Sequence, residues 1–482
     1  MEVGPVRVEK NRLVAPYRLI QDNKSDIFSL IYRFEEDVFE PGEYASLNLA
    51  GMLAAQVAMN YGLFCKEIIF HGPYDKTDRA FIKDMMENTA REIYVKKFQE
   101  HNPFLQGKAA HLPLLKCKSY VRAKILFDHG KKLSPSEAKK LKEESRWPVS
   151  GSRHAVLTSG GKDSLLSFSL LKEIVNDVHS VFINESGRHW YTALNGYRYL
   201  SSKYPETARV WTNSDRLFAW MLRHFPFIRK DFAQVRSDEY PVRLWTVAVF
   251  LFGALPILRK RGIGRLIIGD EFDTTTRVSF HGVPHYNGLF DQSRYFDNVL
   301  TRYYQRKNWG IKQFSIIRPL SELLIEKILV ERYPDVQRNQ VSCHATHIEG
   351  DRVFPCGQCE KCRRIVGMLM AIGANPANCG YTQQQIEFCL ESLAERGVHQ
   401  EVEGSQQMSF LLKQKGLIQE TSKDFRPVEQ PQVLKVRFDP VKSPFDVVPA
   451  DLRRPLLRLF LDHAQGAVRR QGRAWVDCNP LT

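Results

Sequence analysis

Ser159-Gly160-Gly161-Lys162-Asp163-Ser164 stands between a short apolar run, Ala155-Val156-Leu157, and Leu165-Leu166-Ser167-Phe168-Ser169-Leu170-Leu171, which is apolar at helical spacing. The order is strand, tight glycine-rich turn, helix, an arrangement that aims backbone N–H groups at an anion. Gly160 and Gly161 let the chain approach a phosphate with no Cβ in the way. Ser159 and Ser164 offer hydroxyls, Lys162 can neutralise charge, and Asp163 can accept from the loop or help hold a metal. This is not a Walker A loop, which needs Gly where Val156 stands and Ser or Thr where Asp163 stands. An ordinary strand-to-helix turn is the plain alternative.

Outward from the loop, strands and helices alternate as in a doubly wound parallel sheet, which makes the fold class α/β. The spacing predicts strands at His154–Thr158, Val178–Asn184, Arg209–Thr212 and Leu266–Gly269, with helices at Leu165–Asn176, Trp190–Lys203 and Trp245–Lys260 between them. Ligands of such sheets sit outside the carboxyl ends of the strands. The loop, Asn184-Glu185, Asn213-Ser214-Asp215 and Asp270-Glu271 all fall there. Asp270 and Glu271 are the favoured acidic pair, because Gly269 permits close backbone approach.

Three domains are expected: 1–148, an α/β accessory unit; 149–376, around the loop; and 377–482, a mostly helical extension. In the first, Asp26–Phe34 and Lys66–Phe70 read as strands, and Ala45–Tyr61 and Thr77–Phe98 as helices. Lys131–Arg146 reads as a solvated basic helix and linker. In the last, Gln383–Arg396 reads as a helix, Val433–Phe438 as a strand broken by proline, and Leu452–Arg470 as a basic helix.

A chain of 482 residues with 43% apolar content has ample material for a core. Met1-Glu2-Val3-Gly4-Pro5 lacks the pattern of a secretory signal, and no run reaches the roughly 20 apolar residues of a membrane span. The expected location is cytoplasmic, with no membrane partner. The net charge of +15 exceeds what a nucleotide substrate needs and suits a polyanion such as tRNA, or is simply a solvated basic surface. Between Lys108 and Arg146, 11 Lys/Arg face 4 Asp/Glu.

The nine cysteines include Cys343 and Cys356-Gly357-Gln358-Cys359-Glu360-Lys361-Cys362. Three thiols within one turn, with a fourth arriving from upstream, can converge on a tetrahedral centre. Zn²⁺ on four thiolates leaves no position for water, so its role would be structural. An iron–sulfur cluster is the rival occupant, and His344 or His347 could replace a thiolate.

Taken together, the Ser-Gly-Gly-Lys-Asp-Ser loop resembles the signature of the N-type ATP pyrophosphatases (PP-loop, HUP-like enzymes). Adding Ser342-Cys343 and the Cys356–Cys362 cluster, the chain resembles 7-cyano-7-deazaguanine synthase over residues 150 to 376. The likeness includes Arg318-Pro319-Leu320, Gly367, Ala371-Ile372-Gly373 and Pro241-x-Arg243. It implies that ATP is cut between its α and β phosphates and that AMP is placed on a carboxylate or amide oxygen of a 7-deazaguanine-type base. A nitrogen nucleophile then displaces the AMP, so the expected enzyme is a C–N bond-forming ligase. Ser159, Gly160, Gly161, Lys162, Asp163, Ser164, Asp270, Glu271 and Arg243 are the expected cofactor-binding set, and Lys162, Asp163 and Ser164 the catalytic set. ATP, Mg²⁺ and Zn²⁺ are the expected cofactors, with Cys343, Cys356, Cys359 and Cys362 as the zinc ligands.

The departures are specific. Asn184-Glu185-Ser186 stands where the family has Tyr-Gly-Gln, Arg243-Leu244 where it has Arg-Asn, and no Gly-Tyr-Pro-Asp follows Gly269. The aromatic insert from Arg277 to Tyr304 is a candidate for a different pocket wall. The family's standalone enzymes also lack the large N-terminal unit and the tail. In this the chain resembles the enlarged relatives of bacterial anti-phage systems, where a deazaguanine can be attached to a protein, so a protein amine is an alternative nucleophile. A tRNA thiolase and a nucleotide-sensing module without catalysis are the other readings.

Overall fold

In the computed structural model, residues 1–128, 145–185, 187–235, 240–343, 345–419 and 427–481 are described. Ser186, His344 and most of the basic stretch Lys131–Arg146 lie outside them.

Among the described residues, five parallel strands form one side of an eleven-stranded sheet, in the spatial order Lys312–Phe314 (the edge), Ile263–Ile267, Ser150–Leu157, Val178–Asn184, Ala208–Thr212. Numbered along the chain this is 5-4-1-2-3, so the order reverses between the first strand and the fourth. Leu266 pairs with Ala155, Val156 with Ser180, and Ile183 with Val210. Val178–Asn184 is buried along nearly its whole length, as expected of a strand covered on both faces.

The sheet does not stop at residue 148. Lys24–Phe34 pairs antiparallel with Ala208–Thr212, Tyr32 opposite Thr212. The strands Arg12–Gln21, Glu2–Val3, Glu67–His71 and Lys124–Asp128 continue it outward. The apolar helix Val247–Arg261 packs across this junction, where a Cβ on Gly253 would lie 3.2 Å from the Tyr32 ring and 3.5 Å from Ile183. Asn60, just after the helix Tyr44–Ala58, accepts from the amides of Leu244 (2.9 Å) and Trp245 (3.0 Å). Lys307 pairs with Asp75 at 2.5 Å and Asp78 at 3.0 Å. Apolar side chains on both sides of residue 148 share one core.

The aromatic insert from Arg277 forms a hairpin, Arg277–Phe280 with Val283–Tyr286, followed by the helix Arg294–Arg306. Past residue 377 the helices Gln383–Arg396 and Val402–Gln414 pack around the cysteine-rich segment. The basic helix expected over Leu452–Arg470 ends early, as Ala450–Leu461. Gly466 turns the chain at φ +93°, and Ala467–Gln471 becomes the central strand of a three-stranded sheet with Val436–Phe438 and Ala474–Cys478. The strand expected over Val433–Phe438 is shortened to its second half, because Pro431–Leu434 is a 3₁₀ turn. Among the described residues, no helix is long and apolar enough to cross a membrane.

Candidate functional site

The loop Ser159–Ser164 leaves the first parallel strand and Gly269 leaves the fourth, so they flank the reversal in strand order. They touch through backbone: a Cβ on Gly269 would sit 2.8 Å from the Asp163 carbonyl carbon and 2.9 Å from the Ser164 nitrogen. Gly160 is at φ +77°, and a Cβ there would lie 2.7 Å from Ala193 Cα and the Thr192 oxygen. Both glycines are therefore required by close approach. Within the loop, Ser164 Oγ accepts from the Ser159 amide (3.1 Å) and donates to the Gly161 carbonyl (3.1 Å). Gly161 caps the helix Lys162–Ile174 without a side chain, so no capping oxygen takes the first amides.

Lys162 is buried and its Nζ pairs with Asp163 (2.7 Å) and Glu322 (3.0 Å). Burial alone would lower its pKa, but Asp163, Glu322 and Glu271 outweigh it and hold the amine charged. Glu322 opens the helix Glu322–Arg332, capped by Ser321, and Arg364 reaches it at 3.7 Å. Burial pushes the Glu322 carboxyl up, yet Arg364 and Lys162 bring it down to about 2. Asp163 and Glu271 go the other way: burial raises both, with a neighbouring carboxylate adding to each. Asp273 is raised to about 7 by burial, then by Glu322 and Glu401.

Asp270 and Glu271, expected as one pair, separate. Glu271 belongs to the charge cluster around Lys162, whereas Asp270 turns into the protein and pairs with the buried Arg318 at 3.1 Å. Arg318 also binds Asp297 (2.6 Å), Thr274 Oγ1 (2.9 Å) and Thr275 Oγ1 (3.2 Å), so it staples the segment after the fourth strand. Among the described residues, Asp270 Oδ1 is buried without a hydrogen-bond partner. Arg243 meets Glu185 at 3.7 Å, at the end of the second strand, and stacks on Tyr240 (4.3 Å) and Phe218 (4.5 Å). Glu185 also accepts from Ser214 Oγ (2.9 Å). Asn213 serves the fold, accepting from the Ile31 amide at 2.7 Å.

Sequence reading missed Glu322, Glu326 and Arg364. The available signal was two carboxylates four residues apart in the otherwise apolar run Glu322-Leu323-Leu324-Ile325-Glu326.

The four cysteine sulfurs come together within 4.8 Å of one another. Cys359 Sγ lies 3.5 Å from Cys362 and 3.9 Å from Cys343, and Cys356 lies 3.9 Å from Cys362. A tetrahedron with Zn–S bonds of about 2.3 Å has edges of about 3.8 Å, so the group can hold a metal ion such as zinc. Gly357 at φ +70° turns the knuckle, and Cys359 caps the helix Glu360–Ile372. The amides of Cys356 (3.2 Å) and Ala345 (3.3 Å) point at Cys343 Sγ, orienting it as outer-shell donors do. His347 is outside the group, exposed and 3.1 Å from Glu349.

Fold and site thus define a mixed α/β protein with a large, mostly parallel sheet, a glycine-rich loop at its switch point and a four-cysteine centre beside it. No protein-family model matches the chain, and a search of curated proteins returns no match.

Proposed function

We propose that the chain is an ATP-dependent adenylating ligase of the PP-loop class, acting on a carboxylate or amide of a 7-deazaguanine-type base. The observation that carries this reading is the six-residue loop, with Lys162 held charged, at the reversal of the 5-4-1-2-3 sheet. Ligands of doubly wound sheets bind at that reversal.

The first amides of the helix Lys162–Ile174 and the side chain of Lys162 receive the β and γ phosphates of ATP. A substrate oxygen attacks the α-phosphorus, the bond to the bridging oxygen breaks, and pyrophosphate leaves with its charge met by Lys162. A nitrogen nucleophile then displaces AMP from the carboxyl adenylate to give the amide; a second adenylation, on the amide oxygen, ends with loss of the N–H protons and AMP to give the nitrile. Asp163 and Glu322 keep Lys162 protonated throughout, and Arg364 keeps Glu322 ionised. The oxygen donors Asp163, Glu271 and Asp273 suit Mg²⁺, which supplies further neutralisation of phosphate charge. Glu185 and Arg243 flank the end of the second strand as polar groups for substrate recognition.

The test is mass spectrometry of the enzyme with ATP, Mg²⁺ and 7-carboxy-7-deazaguanine, with and without ammonium, alongside a pyrophosphate assay. Amide or nitrile that depends on ammonium, with pyrophosphate released and both lost in Lys162→Ala, is the expected result. Pyrophosphate release that survives in Lys162→Ala overturns the role of the loop. An unchanged base overturns the substrate.

A further inference from the structure

Between the strand Val436–Phe438, the helix Ala450–Leu461 and the hairpin Ala467–Cys478 lies an open cleft of about 700 Å³. Four arginines line it, Arg453, Arg454, Arg469 and Arg470, together with Phe438 and Phe445. Two acids also face it. Asp439 is largely taken up by its own turn, accepting from the amides of Val441 (2.7 Å) and Lys442 (2.8 Å), which leaves Asp446.

Two of the arginines are fixed in place. Arg453 donates to the carbonyls of Val448 (2.7 Å) and Asp446 (2.5 Å), and Arg470 donates to Gly472 (3.1 Å) while lying over the Trp475 ring at 5.0 Å. A guanidinium already held loses little freedom on binding an anion. Arg454 and Arg469 are exposed. Phe438 and Phe445 are half-buried, edge to face at 5.9 Å, with Phe445 anchored on Phe460 at 6.5 Å. The positive field extends beyond the cleft: burial, then Arg265 and Arg453, hold Lys312 below its ordinary value.

We infer that this cleft binds a nucleotide unit of a single-stranded nucleic acid, its base against Phe438 and Phe445 and its phosphates on the arginine forks. Aromatic faces between cations are the chemistry that recognises unpaired bases without sequence preference. The volume falls within the range of small-ligand pockets, so a free nucleotide is the other source of the same chemistry. The inference is independent of the adenylation reading.

The experiment is fluorescence anisotropy of a short 5′-labelled single-stranded RNA with the full chain, titrated at several salt concentrations. Arg454→Glu/Arg469→Glu changes two exposed side chains, and Arg454→Gln/Arg469→Gln is the milder control. The charge-reversed variant is expected to lose at least about tenfold in affinity and to lower the salt slope by about 1.4, two phosphate contacts on a single strand. Displacement of the strand by AMP supports the site with a free nucleotide as sufficient ligand; binding that AMP does not displace supports it with the strand as ligand. No binding by the unsubstituted chain, or equal binding by the charge-reversed variant, overturns the inference. The second outcome moves RNA binding elsewhere, to the basic stretch Lys131–Arg146 for example. An abasic strand that binds as tightly as the base-bearing one also overturns it, because the aromatics then contribute nothing.

Discussion

The amide of Val341 donates to the carbonyl of Gly160 at 3.3 Å. Val341 stands two residues before Cys343, so the glycine-rich loop and the four-cysteine centre share a backbone junction. A second route runs through Cys359, which caps the helix that carries Arg364 to Glu322, the partner of Lys162. The cysteine centre therefore braces the loop from two directions.

Cys359→Ser should lose the bound metal, melt at lower temperature and bind ATP more weakly than the parent chain. Elemental analysis, thermal denaturation and ATP titration check the three effects. A metal-free variant that still bound ATP with full affinity would show that the brace is idle.

Lys162→Met removes the cation between buried carboxylates, which costs about 3 kcal/mol of stability or more, as breaking a buried pair does. Pyrophosphate release should vanish with it. The double variant Lys162→Met/Glu322→Leu should regain much of the stability and none of the activity, separating the two roles of the lysine. Denaturant melts and a coupled pyrophosphate assay read them independently.

Gly269→Ala puts a methyl group against the Asp163–Ser164 backbone, where no flexible side chain can give way. The loop must shift, at about 1–3 kcal/mol. Weaker ATP binding is expected, measured by calorimetry, while the Cys343–Cys362 centre keeps its metal. Unchanged affinity would mean that the contact between the two strand ends does not set the loop.

Glu326 is fully buried and receives a hydrogen bond from Gln340, and among the described residues its Oε2 has no partner. Burial raises its carboxyl to about 7. The folded state thus holds a proton that the unfolded state releases near pH 4.5. The stabilisation is complete below that pH and is lost as pH rises towards 7, by about 3 kcal/mol. Glu326→Gln should match the parent chain near pH 5 and melt at higher temperature near pH 8. A difference in melting temperature that does not change between those pH values would rule out the ionisation.

The parallel sheet was legible because its strands are buried on both faces and their apolar runs alternate with helical ones, as at Val178–Asn184. The four cysteines were legible from spacing alone, since three of them share one turn. The helix predicted over Leu452–Arg470 was not: apolar spacing continued past Leu461, and a single glycine, Gly466, diverted the chain into a hairpin. Asp270 and Glu271 looked equivalent in sequence. Adjacent side chains at a strand end point in opposite directions, and Arg318, 48 residues along the chain from Asp270, claims one of them.

The sequence by itself determined the loop, the order of strand and helix around it, and the thiols that meet, because each is written in neighbouring residues. Tertiary structure alone decided which charges face Lys162, since Glu322 and Arg364 arrive from helices more than a hundred residues away. It also decided that residues 1–128 extend the central sheet, a pairing of Tyr32 with Thr212 that no local pattern encodes. Short-range spacing specifies turns and faces. Burial of charge and the joining of sheet edges depend on what the folded chain brings alongside.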